Sequence, residues 1–415
     1  VKLLHTADIH FGSNSFGRID PDSGLNSRLL DFKRSFDHLV RRGIEEGIDL
    51  FLFCGDAYRT SDPTPTQQKA FAECLRPLVE RGIPIVMIVG NHDHPVSYGK
   101  ASALDIYAYL EGDIHIFRKA DWKTIPTPSG PLQLVALPWP VRSMLLSRDT
   151  FRKQSPAEVR AYIEQAYVAF LDACLAEIDP AVPTVLAAHL TVQGAQMAGS
   201  EQTSLIAHEP VFTVGQLARP PIDYVALGHI HRFQDRNAGH TPPVVYSGSI
   251  ECISFKEWDQ PKGFAIVDIV TGPAGRTTQY RFEETPYRRF VAVTIDAREK
   301  EDPTRALLDA IEREKMEDAV VRVRYRVSET NAAQVDASRL RAALDRAYAV
   351  AAIERIVDPI DRERRTVVTR ESSLQDALQL YIAQHTHLTE IQDDLLERAL
   401  ALETDLALNR QPDER

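Results

Sequence analysis

The chain has 415 residues, room for two or three domains at about 100–200 residues each. It is 44% hydrophobic, 26% charged and 8% aromatic, which excludes wholesale disorder, collagen-like or mucin-like repeats and a disulfide-stapled miniature. A net charge of −11 also excludes a plain basic coat for nucleic acid, so a DNA-binding face must be a local patch or must rely on metal ions.

In chain order, short apolar β-branched runs alternate with longer helical patterns. Residues 2–6, 48–54 and 83–89 read as strands, each followed closely by an aspartate: Asp8, Asp56 and Asp93. Between them, 29–46 and 66–81 carry apolar residues at helical spacing, with Phe32, Phe36, Leu39 and Val40 on one face. Thr64 with Gln67 three residues on makes a capping box ahead of the second helix. Strand, helix and strand in series build a parallel sheet. A long helix over 156–177, with Pro156 in its first turn, and strands at 182–189, 223–229, 244–249 and 264–269 extend this into a many-stranded sheet with helices outside.

A turn at 271–275 changes the pattern. Segments 290–295, 304–315, 319–327, 337–348 and 352–357 then read as strand, helix, strand, helix, strand. They make a small α+β domain whose stretch from 281 to 371 holds 19 basic and 19 acidic residues, a neutral surface. Ser373 and Asp376 open an apolar series at helical steps through Leu374, Leu378, Tyr381, Leu388, Ile391, Leu395, Leu402 and Leu406. The expected domains are 1–283, 284–370 and 371–415.

Four cysteines (Cys54, Cys74, Cys174 and Cys252) stand far apart and never as C-x-x-C, so no zinc knuckle or redox pair is written in the chain. Few scattered thiols fit a reducing cytosol. The longest apolar run, 83–89, is far short of the about 18 residues a membrane span needs. The opening run is too short for a signal peptide, and a cleaved leader could not contain Asp8 if that residue serves the site. The expectation is a cytoplasmic protein that uses no membrane.

Five short segments place metal-ligating residue types just after strand ends: Asp8-Ile9-His10, Gly55-Asp56, Gly90-Asn91-His92-Asp93, His189 and Gly228-His229-Ile230-His231. The carboxyl ends of strands are where open α/β sheets bind ligands, so these segments converge on one rim. Carboxylate, amide oxygen and imidazole without thiolate suit Mn²⁺, Fe²⁺ or a non-structural Zn²⁺. The surplus of ligands over what one ion needs favours two ions, about 3.5–4 Å apart, which can share a carboxylate and a water and clamp a phosphate ester. Gly55 and Gly90 give the backbone room to turn so that the next residue points inward.

In that order, D-x-H, G-D, G-N-H-D, a lone H and G-H-x-H resemble the signature of the calcineurin-like metallophosphoesterases. The resemblance implies an α/β sandwich of two sheets flanked by helices, followed by a small α+β capping domain that binds DNA and a C-terminal helical segment. Within this superfamily, residues 3–10, Gly55-Asp56-Ala57-Tyr58 with Pro63 and Pro65, Tyr246-Ser247-Gly248-Ser249-Ile250, Ser254-Phe255 and Lys262-Gly263-Phe264 are similar to bacterial nuclease subunits of DNA repair and recombination. The likeness is sharp through about Phe282. Relatives in archaea and eukaryotes often carry a histidine where this chain has Arg59.

Position by position, the resemblance implies one ion held by Asp8, His10, Asp56 and His231, and a second by Asp56, Asn91, His189 and His229, with Asp56 shared. His92 would not be a ligand. It would stand beside the scissile phosphate, stabilising charge or protonating the leaving oxygen, as an imidazole with a near-neutral pKa can. The ions would be Mn²⁺ first, with Mg²⁺, Fe²⁺ or Zn²⁺ as alternatives. The activity implied is 3′→5′ exonuclease action on duplex ends and endonuclease action on single strands and hairpins. The partners implied are an ATPase of the structural-maintenance type and a second copy of the chain within a heterotetramer. No G-x-x-x-x-G-K-[ST] occurs, so ATP dependence must come from the ATPase.

Two competing readings share these residues. One is a phosphodiesterase or phosphatase for small molecules or proteins, against which the extra domain and tail count. The other is a DNA-end-binding scaffold with a vestigial site, against which the full residue set counts. Asp93 reads as fixing its loop rather than binding metal, and His94 as exposed. His5, His38, His115, His208, His240, His385 and His387 read as packing or surface residues. Lys100, Arg142, Arg232 and Lys256 lie near the motif loops and read singly as solvated charge, with DNA phosphates as the alternative. The tail from 372 to 415, with three basic and nine acidic residues, suits docking to a basic helical partner.

Overall fold

The computed structural model describes residues 1–95, 100–140, 154–201, 209–273, 275–358, 373–383, 388 and 391–408. Arg142, His208, His385, His387 and the expected boundary at 370–371 lie outside the described residues.

Strands β1 (Lys2–Thr6), β2 (Leu50–Phe53), β3 (Ile85–Ile88) and β4 (Ile114–Phe117) are parallel neighbours. There follow β5 (Asp121–Thr127), β6 (Gly130–Leu137), β7 (Thr184–His189), β8 (Thr191–Val192), β9 (Val211–Phe212), β10 (Tyr224–Gly228), β11 (Gln234–Asp235), β12 (Val244–Tyr246), β13 (Gly263–Gly272) and β14 (Gly275–Glu284). They form two six-stranded sheets, ordered β14-β13-β1-β2-β3-β4 and β11-β12-β10-β7-β6-β5, with β8 and β9 paired apart. Apolar periodicity alone pointed to one large sheet; there are two, as the family resemblance implied.

Each central strand buries both faces. Leu3, Leu50, Leu52, Val86 and Ile88 of the first sheet pack against Leu134, Val185, Ala187, Ala226 and Val245 of the second. On the first sheet's other face, Leu4, Phe51, Phe53 and Met87 meet Phe32, Phe36 and Leu39 of helix α1 (Ser27–Glu45) and Phe71 and Leu75 of helix α2 (Pro65–Val79). The second sheet's outer face meets Leu171 and Cys174 of helix α3 (Pro156–Glu177). The expected capping box at Thr64 and Gln67 is formed, and Ser155 with Glu158 makes another at the start of α3.

The hairpin β5–β6 and strands β4 and β14 had no counterpart in the sequence reading. β5 is an edge strand, mostly exposed and interrupted by Pro126, so it lacks the apolar run that marks a buried strand. Beyond β14, strands β15 (Phe290–Asp296), β16 (Val320–Ser328) and β17 (Ala349–Asp358) form a three-stranded sheet in chain order. The helix expected over 337–348 stops at Ala343, because the chain must turn to enter β17. The apolar series of the tail is broken into two mutually contacting helices, Leu374–Ala383 and Gln392–Leu408. Two compact units result: Val1–Ile295, Thr304–Tyr325 and Asp336–Glu354 in one, Asp296–Pro303, Arg326–Val335 and Arg355–Arg415 in the other. Among the described residues no helix is long and apolar enough to cross a membrane.

Within the larger unit a buried ionic cluster ties α1 to the segment after β14. Arg288 grips Asp31 with two bonds, Nε to Oδ2 at 2.6 Å and Nη2 to Oδ1 at 2.7 Å, and lies 3.7 Å over the Tyr348 ring. Arg28 donates to Asp31 at 2.8 Å, and Glu251 accepts the N–H groups of Arg288 and Cys252 at 2.9 and 3.1 Å. Burial pushes the Glu251 carboxyl up from 4.5 to about 7, with Arg28 offsetting only part of the effect.

The folded state therefore holds a proton on Glu251 that the unfolded chain has lost between those two values, so stability falls as pH rises from about 4.5 to about 7. Glu251→Gln cannot ionise. Relative to wild type it should gain on the order of 2–3 kcal/mol between about pH 5 and about pH 8. Urea melts of both proteins at the two pH values measure this; parallel pH dependence would contradict it.

Candidate metal centre

The carboxyl ends of β1, β2, β3, β7 and β10 bring the five segments to one rim. The backbone there is strained. Asp8, His10, Asp56 and His229 have φ of 53°, 53°, 62° and 94°, a region that costs an L-residue about 1–3 kcal/mol and clusters at functional sites. Hydrogen bonds across the loops hold it: Asp8 N–H to Gly55 O at 2.9 Å, and His10 N–H to Asp56 O at 3.1 Å. Asp93 accepts from the N–H groups of Asp56, Ala57 and Gly90 at 2.8, 2.9 and 3.0 Å, so it fixes the loops as expected. Gly55, at φ 95°, is obligatory, because a Cβ there would collide with the His189 ring and come within 2.9 Å of Gly90.

The ring nitrogens decide what the site can hold. His189 donates Nδ1–H to Cys54 O at 2.7 Å, which turns its Nε2 lone pair inward, 2.9 Å from Asn91 Oδ1 and 3.5 Å from Asp56 Oδ2. His229 has Nε2 on Glu209 at 3.1 Å and Nδ1 facing Asn91 Oδ1 at 3.2 Å. His231 has Nδ1 on Glu257 at 3.0 Å, and its Nε2 meets His10 Nε2 at 3.0 Å, itself 3.7 Å from Asp56 Oδ2. Asp8, His10 and His231, and likewise Asp8, Asp56 and His189, present ligand atoms within 4.8 Å of one another. Acceptors thus face acceptors around Asp56, an arrangement that divalent cations satisfy, and the residues fit a dimetal site.

The electrostatics agree. Burial pushes Asp8 up, partly countered by His231 and His189. Burial also acts on Asp56, but His189, His92 and His10 outweigh it and hold this carboxyl well below its ordinary range. Asp56 overcomes burial and raises His189 to about 9, so with no cation bound a proton occupies the Nε2 position that a cation would take. Burial, reinforced by His231, drives His10 well below its ordinary value, so that imidazole stays neutral. Its Nδ1 is buried without a hydrogen-bond partner.

His92 also brings a ring nitrogen within 4.8 Å of ligand atoms of His10 and Asp56. It is half-buried, its N–H donates to Asp56 Oδ1 at 2.8 Å, and its Nδ1 lies 2.8 Å from Arg59 O, leaving Nε2 free of the loop. Arg59 therefore meets His92 through its backbone carbonyl. His94, expected to be exposed, is half-buried, and burial lowers it to about 4. His5 is buried between the sheets against the Tyr224 hydroxyl at 3.1 Å. Lys100, Arg232 and Lys256 are exposed.

The sequence reading passed over Glu209 and Glu257. Both are buried carboxylates that orient site histidines, and Glu257 is neutralised by a fully buried Lys262 at 2.9 Å. Neither has a spacing that marks it, since Glu209 reaches the site from a loop and Glu257 from a one-turn helix, each remote in sequence from the histidine it holds. The only hint was Glu257's place between Ser254-Phe255 and Lys262-Gly263.

Residues 1–233 match the calcineurin-like phosphoesterase family. The chain is 31% identical over 285 residues to SbcD of the nuclease SbcCD from Bacillus subtilis (strain 168), covering 66% of this chain and 67% of that one. To SbcD from Escherichia coli (strain K12) it is 26% identical over 304 residues, 71% of this chain and 70% of that one. To SbcD from Staphylococcus epidermidis it is 29% identical over 273 residues, 65% and 66% of the two chains.

Glu257→Gln should weaken binding of the ion nearest His231 by roughly 10–100-fold, the range usual for losing a partner that orients a metal-ligating histidine. Calorimetric titration of the apoprotein with Mn²⁺ reads this directly. Unchanged affinity in both binding phases would mean Glu257 serves only to neutralise Lys262.

Proposed function

We propose that this chain, which belongs to the calcineurin-like phosphoesterase family and stands among the relatives of the nuclease component SbcD, is a metal-dependent DNA nuclease. The observation that carries the proposal is the set of inward lone pairs around Asp56. His189, His229 and His231 each have one ring nitrogen engaged by Cys54, Glu209 or Glu257, which leaves the other for a cation. The first ion would take Asp8, His10, Asp56 and His231; the second would take Asp56, Asn91, His189 and His229. Donors of mixed oxygen and nitrogen type without thiolate suit Mn²⁺. Bound there, a pair of such ions supplies Lewis-acid polarisation of the phosphoryl group and an activated water.

The chain's own residues do the rest. Asp56 would hold both ions and accepts the backbone N–H of His92 on Oδ1, so one side chain would position the acid–base residue and the metal pair. His92, oriented by Arg59 O, directs Nε2 at the scissile phosphate and protonates the departing oxygen or stabilises its charge. The substrates proposed are duplex ends, degraded 3′→5′, together with hairpins and single strands. The proposed partners are an SbcC-type ATPase, which would supply all ATP coupling, and a second copy of this chain in a cytoplasmic heterotetramer. Tail residues Leu374, Tyr381, Ile391, Leu400 and Leu402 are exposed, which supports docking of the ATPase there.

Assaying the purified chain with Mn²⁺ on DNA and on p-nitrophenyl phosphate diesters tests the reading; cleavage of the diesters without cleavage of any DNA would favour a small-molecule enzyme. Asp56→Asn should abolish DNA cleavage and lower occupancy of both ions, whereas His92→Gln should keep the ions and lose about 10²-fold or more in turnover. Loss of metal in the second variant would make His92 a ligand.

Truncation after residue 371 should spare cleavage of short single strands, since every proposed ligand lies before Arg232. It should remove ATP-stimulated digestion of duplex ends. Undiminished capture of the cognate ATPase by the truncated chain, with ATP stimulation intact, would place the docking surface elsewhere.

A further inference from the structure

Among the described residues, the rim of the metal centre carries a large side chain that is no candidate ligand and that hydrolysis as described leaves unused: Trp139. It lies two residues past the end of β6, on the same rim as the strand ends that form the site. Its backbone N–H donates to Val89 O at 2.9 Å, which fastens it to the segment leading into Gly90-Asn91-His92. Pro138 and Pro140 flank it, and the Tyr167 hydroxyl donates to Pro138 O at 2.8 Å, so its backbone has little freedom. The indole lies 4.9 Å from the His229 ring at 38° and 6.0 Å from the His189 ring at 77°. Those two histidines are buried; Trp139 is only half-buried.

A wide, rigid, part-open aromatic surface therefore borders the site on the His229 side, while His92 borders it on the side of His10, 4.9 Å away ring to ring. A phosphodiester held at Asp56, with His92 at its leaving oxygen as proposed above, would lie between these two borders. We propose that Trp139 is a stacking platform for the nucleobase next to the scissile phosphate; this rests on the nuclease reading above. Stacking suits this chain for a physical reason. With a net charge of −11 it has no general electrostatic grip on DNA, and a base's π-face offers attraction that depends neither on charge nor on base identity. The platform takes only a base freed from its neighbours, so unpaired strands and frayed ends are gripped better than an intact helix.

The test uses the full-length chain and Mn²⁺-dependent cleavage of single-stranded oligonucleotides in which one abasic residue is stepped across the cleaved bond. For wild type, the abasic residue at one position beside that bond should raise KM roughly tenfold to a hundredfold, the range for losing one stacked base. Trp139→Ala should lose that positional penalty, and Trp139→Phe, which keeps an aromatic face, should retain part of it. A readout without metal is the fluorescence of the chain, which has three tryptophans. Adding the intact oligonucleotide to apoprotein should quench emission more in wild type than in Trp139→Phe, and the abasic oligonucleotide should not. If wild type cuts DNA but shows no abasic penalty at any position, or if Trp139→Ala shows the same penalty, Trp139 only walls the histidines and the proposal falls. If no DNA is cut at all, the nuclease reading falls and takes this one with it.

Discussion

Two sheets approach each other to backbone contact at their carboxyl ends, and the metal centre forms in that contact. Gly228, the last residue of β10, makes the approach possible. A Cβ there would collide with Cys54 O on the first sheet and come within 2.9 Å of the Ala7 Cβ and the His189 Nδ1. Because nothing keeps the rims apart, groups from one sheet bond groups from the other. The His229 N–H lies 3.1 Å from the Asp8 carboxylate oxygens, and His189 Nδ1 reaches Cys54 O at 2.7 Å. Asp8, His10, Asp56 and Asn91 come from the first sheet, His189, His229 and His231 from the second, so the candidate ligands are divided between the two halves.

This proximity carries an energetic cost that the surroundings offset. Four positive-φ residues and two buried carboxylates at one point are each unfavourable alone. Against them stand loop hydrogen bonds of 2.8–3.1 Å made by Asp93 and the Asp8, His10 and Asp56 backbone, anchored in a sandwich core with almost no exposed side chain. The strain is held by rigid strands on both sides, so the ligand atoms are positioned before any cation arrives. Such preorganisation is what a two-ion site requires, since each ion tolerates little displacement of its donors.

Electrostatic order extends beyond the ligands. Lys262 neutralises Glu257, Glu257 orients His231, and Glu209 does the same for His229, so charge alternates outward from the centre. The tautomers that follow are opposite in the two histidines of one motif. His229 turns Nδ1 inward, whereas His231 turns Nε2. Two residues apart, they turn different nitrogens toward the site because Glu209 and Glu257 hold them by opposite ring positions.

What the amino-acid sequence determined alone was local. A run such as 48–54 must be a buried strand because its apolar residues leave no polar face, and an aspartate or histidine just past such a run must sit at a strand's carboxyl end. Gly55 was legible because the left-handed turn it makes excludes a side chain. The eight candidate residues followed from those strand ends, and their order along the chain carried the family resemblance. Tertiary structure decided everything that depends on pairing across distance. Whether the strands share one sheet or two is invisible to periodicity, since a strand buried on both faces looks the same in either. Edge strands such as β5 escaped because an exposed strand has no apolar signature. Glu209, Glu257 and Trp139 escaped for a related reason: a residue outside the strands takes its role from whatever the fold brings beside it, and the arrangement around β7 and β10 put a histidine there.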